Sequence, residues 1–413
     1  MFHSLHPNLK IRITINFIQK LTQTAIFPFM TIYFAQQFGV TLAGVLILMT
    51  TVLSFIGSLY GGAWADRYGR KRVLVSAEHL RLLSLVAMAF CNSAFLTAPT
   101  LTFVFFLMNN IVSGIVTPAN EAILIDDSTS GNRKFLYALS YWTLNISIVI
   151  GSIAGGFLFQ AHLFDLLVGA ALASFGCLLL IRMRLNDTYR PQPGTSPLSW
   201  RGLYHGYAIV FRDQLFTAYL IAGVLTLSLE LQLTHYLAVH FVETFTTPQT
   251  LFSIPLDGTM LLGVLRSENT VLVLLFSFLV LKWTKPFNER SVLYTGVVLF
   301  CAGFAMLLVS GSVVMMLIGT FVFTLGELLY VPIHQALLAR LMDESKRSQY
   351  LAVNGLRYRG ALLIGAVSVS LYESIPPLLM ALVYIAFGAT AIWLYQKVYR
   401  SLFVQSMESK QAG

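Results

Sequence analysis

Charge is scarce in this chain. Only 11% of its 413 residues are charged, against 56% hydrophobic, where a soluble globular domain carries about 25% charge. That shortage excludes a water-facing surface for a protein of this length. Apolar runs recur from end to end instead, each about 20 residues long and able to cross a hydrocarbon core of about 30 Å. Cysteine is nearly absent. Cys91, Cys177 and Cys301 all fall inside apolar runs, which argues for small buried hydrophobes and against a disulfide framework or metal site. No nucleophile triad, phosphate-cradling loop or metal-ligand spacing is present, so an enzyme has nothing to rest on. A cleavable leader is missing too. His3, His6, Lys10 and Arg12 lead directly into a long segment with no small-residue cleavage site behind it, so the first span is expected to stay in the protein.

What is present is a series of membrane spans. Apolar runs between breakers predict twelve, at about 11–36, 41–63, 72–93, 99–122, 135–160, 163–185, 214–240, 259–281, 291–310, 312–338, 348–371 and 376–398. The eighth is the least regular, because Arg266, Ser267, Glu268 and Asn269 interrupt it. The net charge of +9 is not a nucleic-acid footprint, because the basic residues lie in short loops on alternate sides of the spans. Arg67, Arg70, Lys71 and Arg72, then Arg133 and Lys134, then Lys282, Lys285 and Arg290 share a side with both termini. The positive-inside rule makes that side cytoplasmic. The stretch 186–213 is the long polar segment rich in Pro, Gly and Ser. It is expected to link an N-terminal six-helix bundle, 1–185, to a C-terminal one, 214–413.

A repeat supports that division. PANEAILIDDSTSGNRK at 118–134 aligns without a gap with PIHQALLARLMDESKRS at 332–348, an offset of 214 positions that also takes Gly151 to Gly365. Parallel six-helix repeats of this kind are built around substrate sites near the membrane midplane.

The strongest local motif is GAWADRYGRKR at 62–72. Gly62 permits close helix approach and Gly69 a tight turn. Asp66, Arg67, Arg70 and Lys71 can form charge pairs that hold one side shut. Span five contains SIVIGSIAGG, where Gly151, Gly155 and Gly156 suit close helix packing; Gly57 and Gly61 make a similar face in span two. Span one presents Asn16, Gln19, Lys20 and Gln23 at i, i+3, i+4 and i+7, one helical face that should line a cavity. Lys20 could instead snorkel to the headgroups. Asn354, Arg357 and Arg359 in span eleven pose the same question. Glu78 and Arg81, three apart in span three, suit an intrahelical pair. Glu327 lies well inside span ten, in TFVFTLGELLYVP. A carboxylate there must face a cavity, bind a cation, hold a proton, or be a neutral hydrogen-bonded packing group.

These motifs resemble the major facilitator superfamily, whose gate loop reads G-x-x-x-D-R-x-G-R-K. The gate loop, the 121–145 region with SYWTLN, and TLGELLYVP are similar to LmrP-type multidrug/proton antiporters of that superfamily. The resemblance implies an all-α membrane fold of twelve helices in two pseudo-symmetric bundles. It implies an Asp126–Arg70 contact at the gate, with a solvated helix-end acid as the plainer alternative. It also implies proton coupling and recognition of cationic drugs by Glu327. Span five departs from the antiporter pattern G-P-x-x-G-G, because Ser152 replaces the proline. Ser140 and Thr234 stand where similar antiporters carry acids, and the acid expected in AFGATAIW of span twelve is missing. Glu230, one turn before Thr234, and its neighbour His235 could compensate or could simply pack helices.

The expected function is therefore proton-coupled efflux of amphipathic cations by alternating access in the cell membrane. The alternative is export or flipping of an anionic metabolite or lipid on the same fold. The cavity is expected to hold Asn16, Gln19, Lys20, Gln23, Ser140, Tyr141, Trp142, Asn145, Thr234, Tyr236, Tyr330, Asn354 and Arg357, the aromatics stacking on flat or cationic molecules. Expected partners are an amphipathic small molecule, protons and membrane lipid, with no nucleic acid. No cofactor is expected beyond the proton gradient, and the chain is expected to act as a monomer.

Overall fold

A helix stands at each of the twelve expected spans. The computed structural model describes residues 7–126, 133–186, 208, 210–251, 253–342 and 347–411. Its first helices are α1 (Pro7–Phe38), α2 (Val40–Tyr68), α3 (Arg70–Phe90), α4 (Pro99–Asp126), α5 (Arg133–Leu158) and α6 (Leu163–Arg184). After the linker come α7 (Gln214–Gln232), α8 (Tyr236–Thr244), α9 (Gly258–Thr284), α10 (Glu289–Val309), α11 (Val313–Leu341), α12 (Arg347–Ser370) and α13 (Pro377–Gln411). Two short hairpins, β1 (Asn92–Ser93) with β2 (Leu96–Thr97) and β3 (Gln249–Leu251) with β4 (Ile254–Leu256), turn the chain between spans. Most of the expected linker lies outside the described residues.

Among the described residues, ten segments are long and apolar enough to cross a membrane. Helices α1 and α12 fall short of that measure, and they are the two whose polar residues were expected to face a cavity. The surface is inverted relative to a water-soluble protein. Leu172, Met183, Phe278 and Leu378 are exposed, while Arg12, Glu78, Asn109 and Gln232 are buried. Such a chain is a multi-pass membrane protein. The polar interruption 266–269 does not break the eighth span, because α9 runs through it.

The helix ends follow local chemistry. Gly69 joins α2 to α3 at φ +90°, a left-handed conformation that costs glycine least. The Asp213 carboxylate accepts from the Leu215 and Phe216 amides and starts α7, and Asn288 caps α10 in the same way. The seventh span, expected to be continuous, is broken between α7 and α8. No glycine or proline marks the break. The Thr234 hydroxyl and the His235 Nδ1 both donate to the Leu231 carbonyl. The backbone there tightens to bonds three residues long, Leu233 to Glu230, Thr234 to Leu231 and His235 to Gln232. Side chains compete with the helix ladder for one acceptor, and the ladder loses.

Two compact units result. One holds the described residues through 186 together with 257–267; the other holds those from 208 to 256 and from 268 onward. The first part of α9 therefore groups with the first unit. In that unit α1 packs on α5, α2 on α4, and α3 on both α4 and α6. Its apolar core joins Leu74, Ala77, Val112, Val116, Ala119 and Ile181. In the second unit α10 lies along α11, while α7 packs on α12 and α13.

Small residues set these approaches, since lipid gives apolar faces no reason to associate. In α10, Gly296 and Gly303 lie against Gly326 and Gly319 of α11. On α5, Gly151 faces Thr24 and Leu21 of α1, and Gly155 faces Ala25 and Phe29. Gly156 lies against Gly263, where an added Cβ would come within 3.0 Å of its Cα. Gly57 and Gly61 meet the Ile111 and Ile115 carbonyls of α4. By contrast, a Cβ at Gly169 meets nothing within 4 Å. Gly155→Leu should destabilise the protein by about 1–3 kcal/mol through overpacking. Gly169→Leu should stay within roughly 0.5 kcal/mol of wild type. Thermal unfolding of the two purified variants in detergent checks both.

Candidate functional site

Each unit carries its own polar centre. In the second unit it is built around Glu327 on α11. Asn269 of α9 donates its amide to Glu327 Oε2 at 2.8 Å and to the Thr324 hydroxyl at 3.0 Å. Glu327 is only partly exposed. Among the described residues no basic side chain forms an ion pair with it. The Glu230 carboxylate, at the end of α7, is near enough for its charge to act on both Glu327 and Tyr330. One residue before Asn269, Glu268 buries its Oε2 without a hydrogen-bond partner among the described residues.

A second cluster of this unit gathers around Gly223. A Cβ there would come within 2.6 Å of Arg357 Cδ and 2.7 Å of His334 Cε1. The Tyr219 ring stacks on His334 at 4.3 Å, and Tyr395 hydrogen-bonds its Nδ1 at 2.8 Å. Arg357 thus sits beside the aromatic core of its unit. Asn354, a turn away, buries its Oδ1 without a partner among the described residues.

The other span-seven candidates take packing positions. His235 is buried against α12, where Gly365 leaves room for its ring: a Cβ there would lie 3.3 Å away. Tyr236 is buried and donates to the Ile375 carbonyl at 3.0 Å. Tyr330 is buried with its ring 5.1 Å from Phe300. In the turn after α12, burial and then the Glu243 charge push the Tyr372 hydroxyl up to about 12. Tyr372 therefore remains a neutral group beside His240.

In the first unit the expected face of span one does line a cavity. Its volume is about 440 Å³, and Asn16, Gln19, Lys20, Gln23 and Ser140 all border it. Tyr141 and Trp142, grouped with them in the sequence, are exposed and take no part in its lining. Asn145 is buried and donates to the Tyr141 carbonyl. Behind the cavity lies Glu78, buried and held by three donors. These are Gln19 Nε2 at 2.7 Å, the Ser174 hydroxyl at 2.7 Å and Arg81 at 3.4 Å. The expected Glu78–Arg81 pair is thus one edge of a network joining α1, α3 and α6. Arg12, fully buried, donates to the Asn16 and Asn120 side-chain oxygens.

At the gate, Lys71 donates to the Arg182 carbonyl at 3.1 Å, and Arg67 lies over the Tyr68 ring at 5.5 Å. The side chains of Asp66 and Asp126 lie outside the described residues, and so does the predicted Asp126–Arg70 contact. In the second unit Arg340 grips Glu289 with two hydrogen bonds, 3.0 and 2.9 Å, and Tyr399 donates to the same carboxylate at 2.6 Å.

Sequence reasoning did not single out Asn269, Arg12 or the Glu289–Arg340 pair. Each left a trace. A polar run inside an apolar span is the mark of an intramembrane site, and Asn269 belongs to one. Arg12 extends the span-one face by one more turn. Arg340 is the residue that the 214-position repeat matches to Asp126.

Comparison with known proteins agrees with this architecture. Residues 13–267 match the family model described as Major Facilitator Superfamily. The chain is 32% identical over 376 residues to a Na(+), Li(+), K(+)/H(+) antiporter of Planococcus maritimus, covering 88% of each. It is 24% identical over 353 residues to the multidrug resistance protein MdtH of Proteus mirabilis, covering 82% of this chain and 80% of that protein. A peptide transporter crystallised with alafosfalin superposes with a TM-score of 0.74 at 16% identity, over 94% of this chain and 93% of that one. That last likeness concerns the fold. These relatives are transporters, not enzymes.

The Glu78 network makes its own prediction. Ser174→Ala removes a donor from a buried carboxylate and should cost about 1–3 kcal/mol. Ser113→Ala, which loses only the longer 3.3 Å bond from Arg81, should cost less. Melting temperatures of the two variants in one detergent give the comparison.

Proposed function

The chain is a member of the major facilitator superfamily, and from that premise we propose that it is a proton-coupled antiporter exporting amphipathic cations. As a superfamily member it is a secondary transporter; the coupling and the cargo are the proposal. One observation carries it. Glu327 is a carboxyl group inside a membrane span, held by an amide donor and without a basic partner among the described residues.

Such a group has three conditions. Protonated, it is neutral. Ionised with a cation beside it, the pair is neutral. Ionised and empty, it leaves a bare charge in an apolar surround, which costs about 3 kcal/mol on insertion scales. A protein that must pass between two facing states crosses most readily in the two neutral conditions. Proton and cation then travel in opposite directions because each relieves the same cost. Asn269 keeps the carboxyl aimed, and Glu230 adds a second negative charge that favours an incoming cation. In this reading the chain works in the cell membrane with both termini in the cytoplasm, and the α2–α3 loop closes that side.

A second cargo is favoured by the relative of highest quoted identity. That protein is named for exchange of alkali cations with protons, and the Glu327 centre would serve a small cation by the same charge balance.

The test is proton movement in vesicles reconstituted with the full chain, followed with a pH-sensitive dye. Sodium, lithium, potassium, a lipophilic phosphonium and a set of anions are added in turn. A cation should trigger proton release, and Glu327→Gln should abolish it while the protein still expresses and inserts. Undiminished exchange in that variant would remove the coupling role. The identity of the active cation decides between the two cargoes.

A further inference from the structure

The first unit holds a feature that cation exchange at Glu327 does not use. Its cavity is bordered by two charged residues, Lys20 and Arg81, and both are cations. The rest of its polar lining is amide and hydroxyl. Lys20 has no carboxylate partner among the described residues, and the charge of Arg266 acts on it from α9. Arg81 shares Glu78 with Gln19 and Ser174. Arg12, just behind, is bonded to neutral amide oxygens. Three cations of one buried region therefore face one described carboxylate, and that carboxylate is already held by other donors. Buried positive charge of this kind calls for an anion.

A second observation says what form the anion takes. Thr22, Ile26 and Ala170 border the cavity and also border a neighbouring groove of about 420 Å³. Leu21, Ile150, Ala154, Leu158, Leu166 and Gly169 give that groove an apolar wall between α1, α5 and α6. Nothing stands within 4 Å of a Cβ built at Gly169, so the groove is open there. A cationic, amide-lined chamber adjoins a slot that is apolar except for His162 and Asp165, which pair with each other at 3.0 Å.

The geometry points to a binding site in the first unit for an anionic amphiphile. The acidic headgroup, a phosphodiester or a carboxylate, lies against Lys20 and Arg81, and the acyl chain passes Thr22, Ile26 and Ala170 into the groove. The site is separate from Glu327 and does not require the exchange mechanism.

Native mass spectrometry of the purified full chain tests it, with phosphatidylglycerol, phosphatidylcholine of the same chains, oleate and inorganic phosphate as probes. Phosphatidylglycerol should bind about fivefold more tightly than phosphatidylcholine, the scale of one basic contact to an anionic headgroup. Lys20→Gln should erase that preference and Lys20→Arg should keep it. Gly169→Leu, which fills the groove, should weaken both lipids alike. Oleate binding that also depends on Lys20 would show a carboxylate to serve as well as a phosphodiester. Equal binding of the two phospholipids by the wild type, or a preference that survives Lys20→Gln, would defeat the proposal. Displacement of phosphatidylglycerol by inorganic phosphate alone would defeat the amphiphile and leave a soluble anion. Glu327→Gln should keep the lipid preference, so failure of the exchange mechanism and failure of this site give different results.

Discussion

A charge inside a hydrocarbon span must be matched, neutralised or hidden, and every polar feature of this protein answers to that constraint. The buried acid of the first unit answers by matching. Glu78 sits within reach of donors from α1, α3 and α6, so the carboxylate that would otherwise repel its surround ties three helices together. Arg12 donates to amide oxygens in place of a carboxylate. The second unit answers differently. There Glu327 has, among the described residues, one amide donor, from Asn269 on α9, and no ion-pair partner. A fully matched carboxylate is structural. A half-matched one is free to exchange partners.

The repeat makes this contrast informative. The offset of 214 positions that takes Pro118 to Pro332 also takes Asn120 to His334 and Ser113 to Glu327. The first correspondence holds in space. Asn120 meets Arg12 of α1, and His334 stacks on Tyr219 of α7, so in each unit this position touches the unit's first helix. The second correspondence has changed character. Ser113 receives Arg81 beside a cavity bordered by cations, while Glu327 takes the Asn269 amide with the Glu230 charge near it. One helical frame has been kept twice, with a hydroxyl at this position in one unit and a carboxyl in the other.

Much of this was legible in the sequence, and the reasons differ by element. Hydropathy marks ten of the segments among the described residues, because lipid imposes a length and an apolarity that few other constraints imitate. The span-one face was legible because polar residues at helical spacing in an apolar run can only share a side, and Asn16, Gln19, Lys20 and Gln23 do border one cavity. Aromatic residues carry no such mark. Tyr141 and Trp142 suit lipid and cavity equally; both are exposed and neither borders the first unit's cavity. The broken seventh span was illegible for another reason. Breaks are recognised by glycine and proline, whereas this one arises when Thr234 and His235 compete for a single carbonyl. That competition depends on rotamers, which a sequence pattern does not record.

The gate residues show why some charges can drift and others cannot. In the second unit the ion pair joins Glu289, first residue of α10, to Arg340 near the end of α11. The repeat sets Arg340 opposite Asp126, a residue of the other sign. An exposed pair of this kind contributes only about 0–1 kcal/mol, and its attraction is the same whichever helix carries the acid. Reversal at such a position is nearly free, provided both partners change. Inside the span there is no such freedom. In the proposed exchange, a lysine in place of Glu327 would keep the size of the charge and lose the ability to trade a proton for a cation. Sign is therefore interchangeable where a pair only holds two helices together, and fixed where, as proposed for Glu327, one carboxyl group is to be neutralised in turn by each of two cargoes.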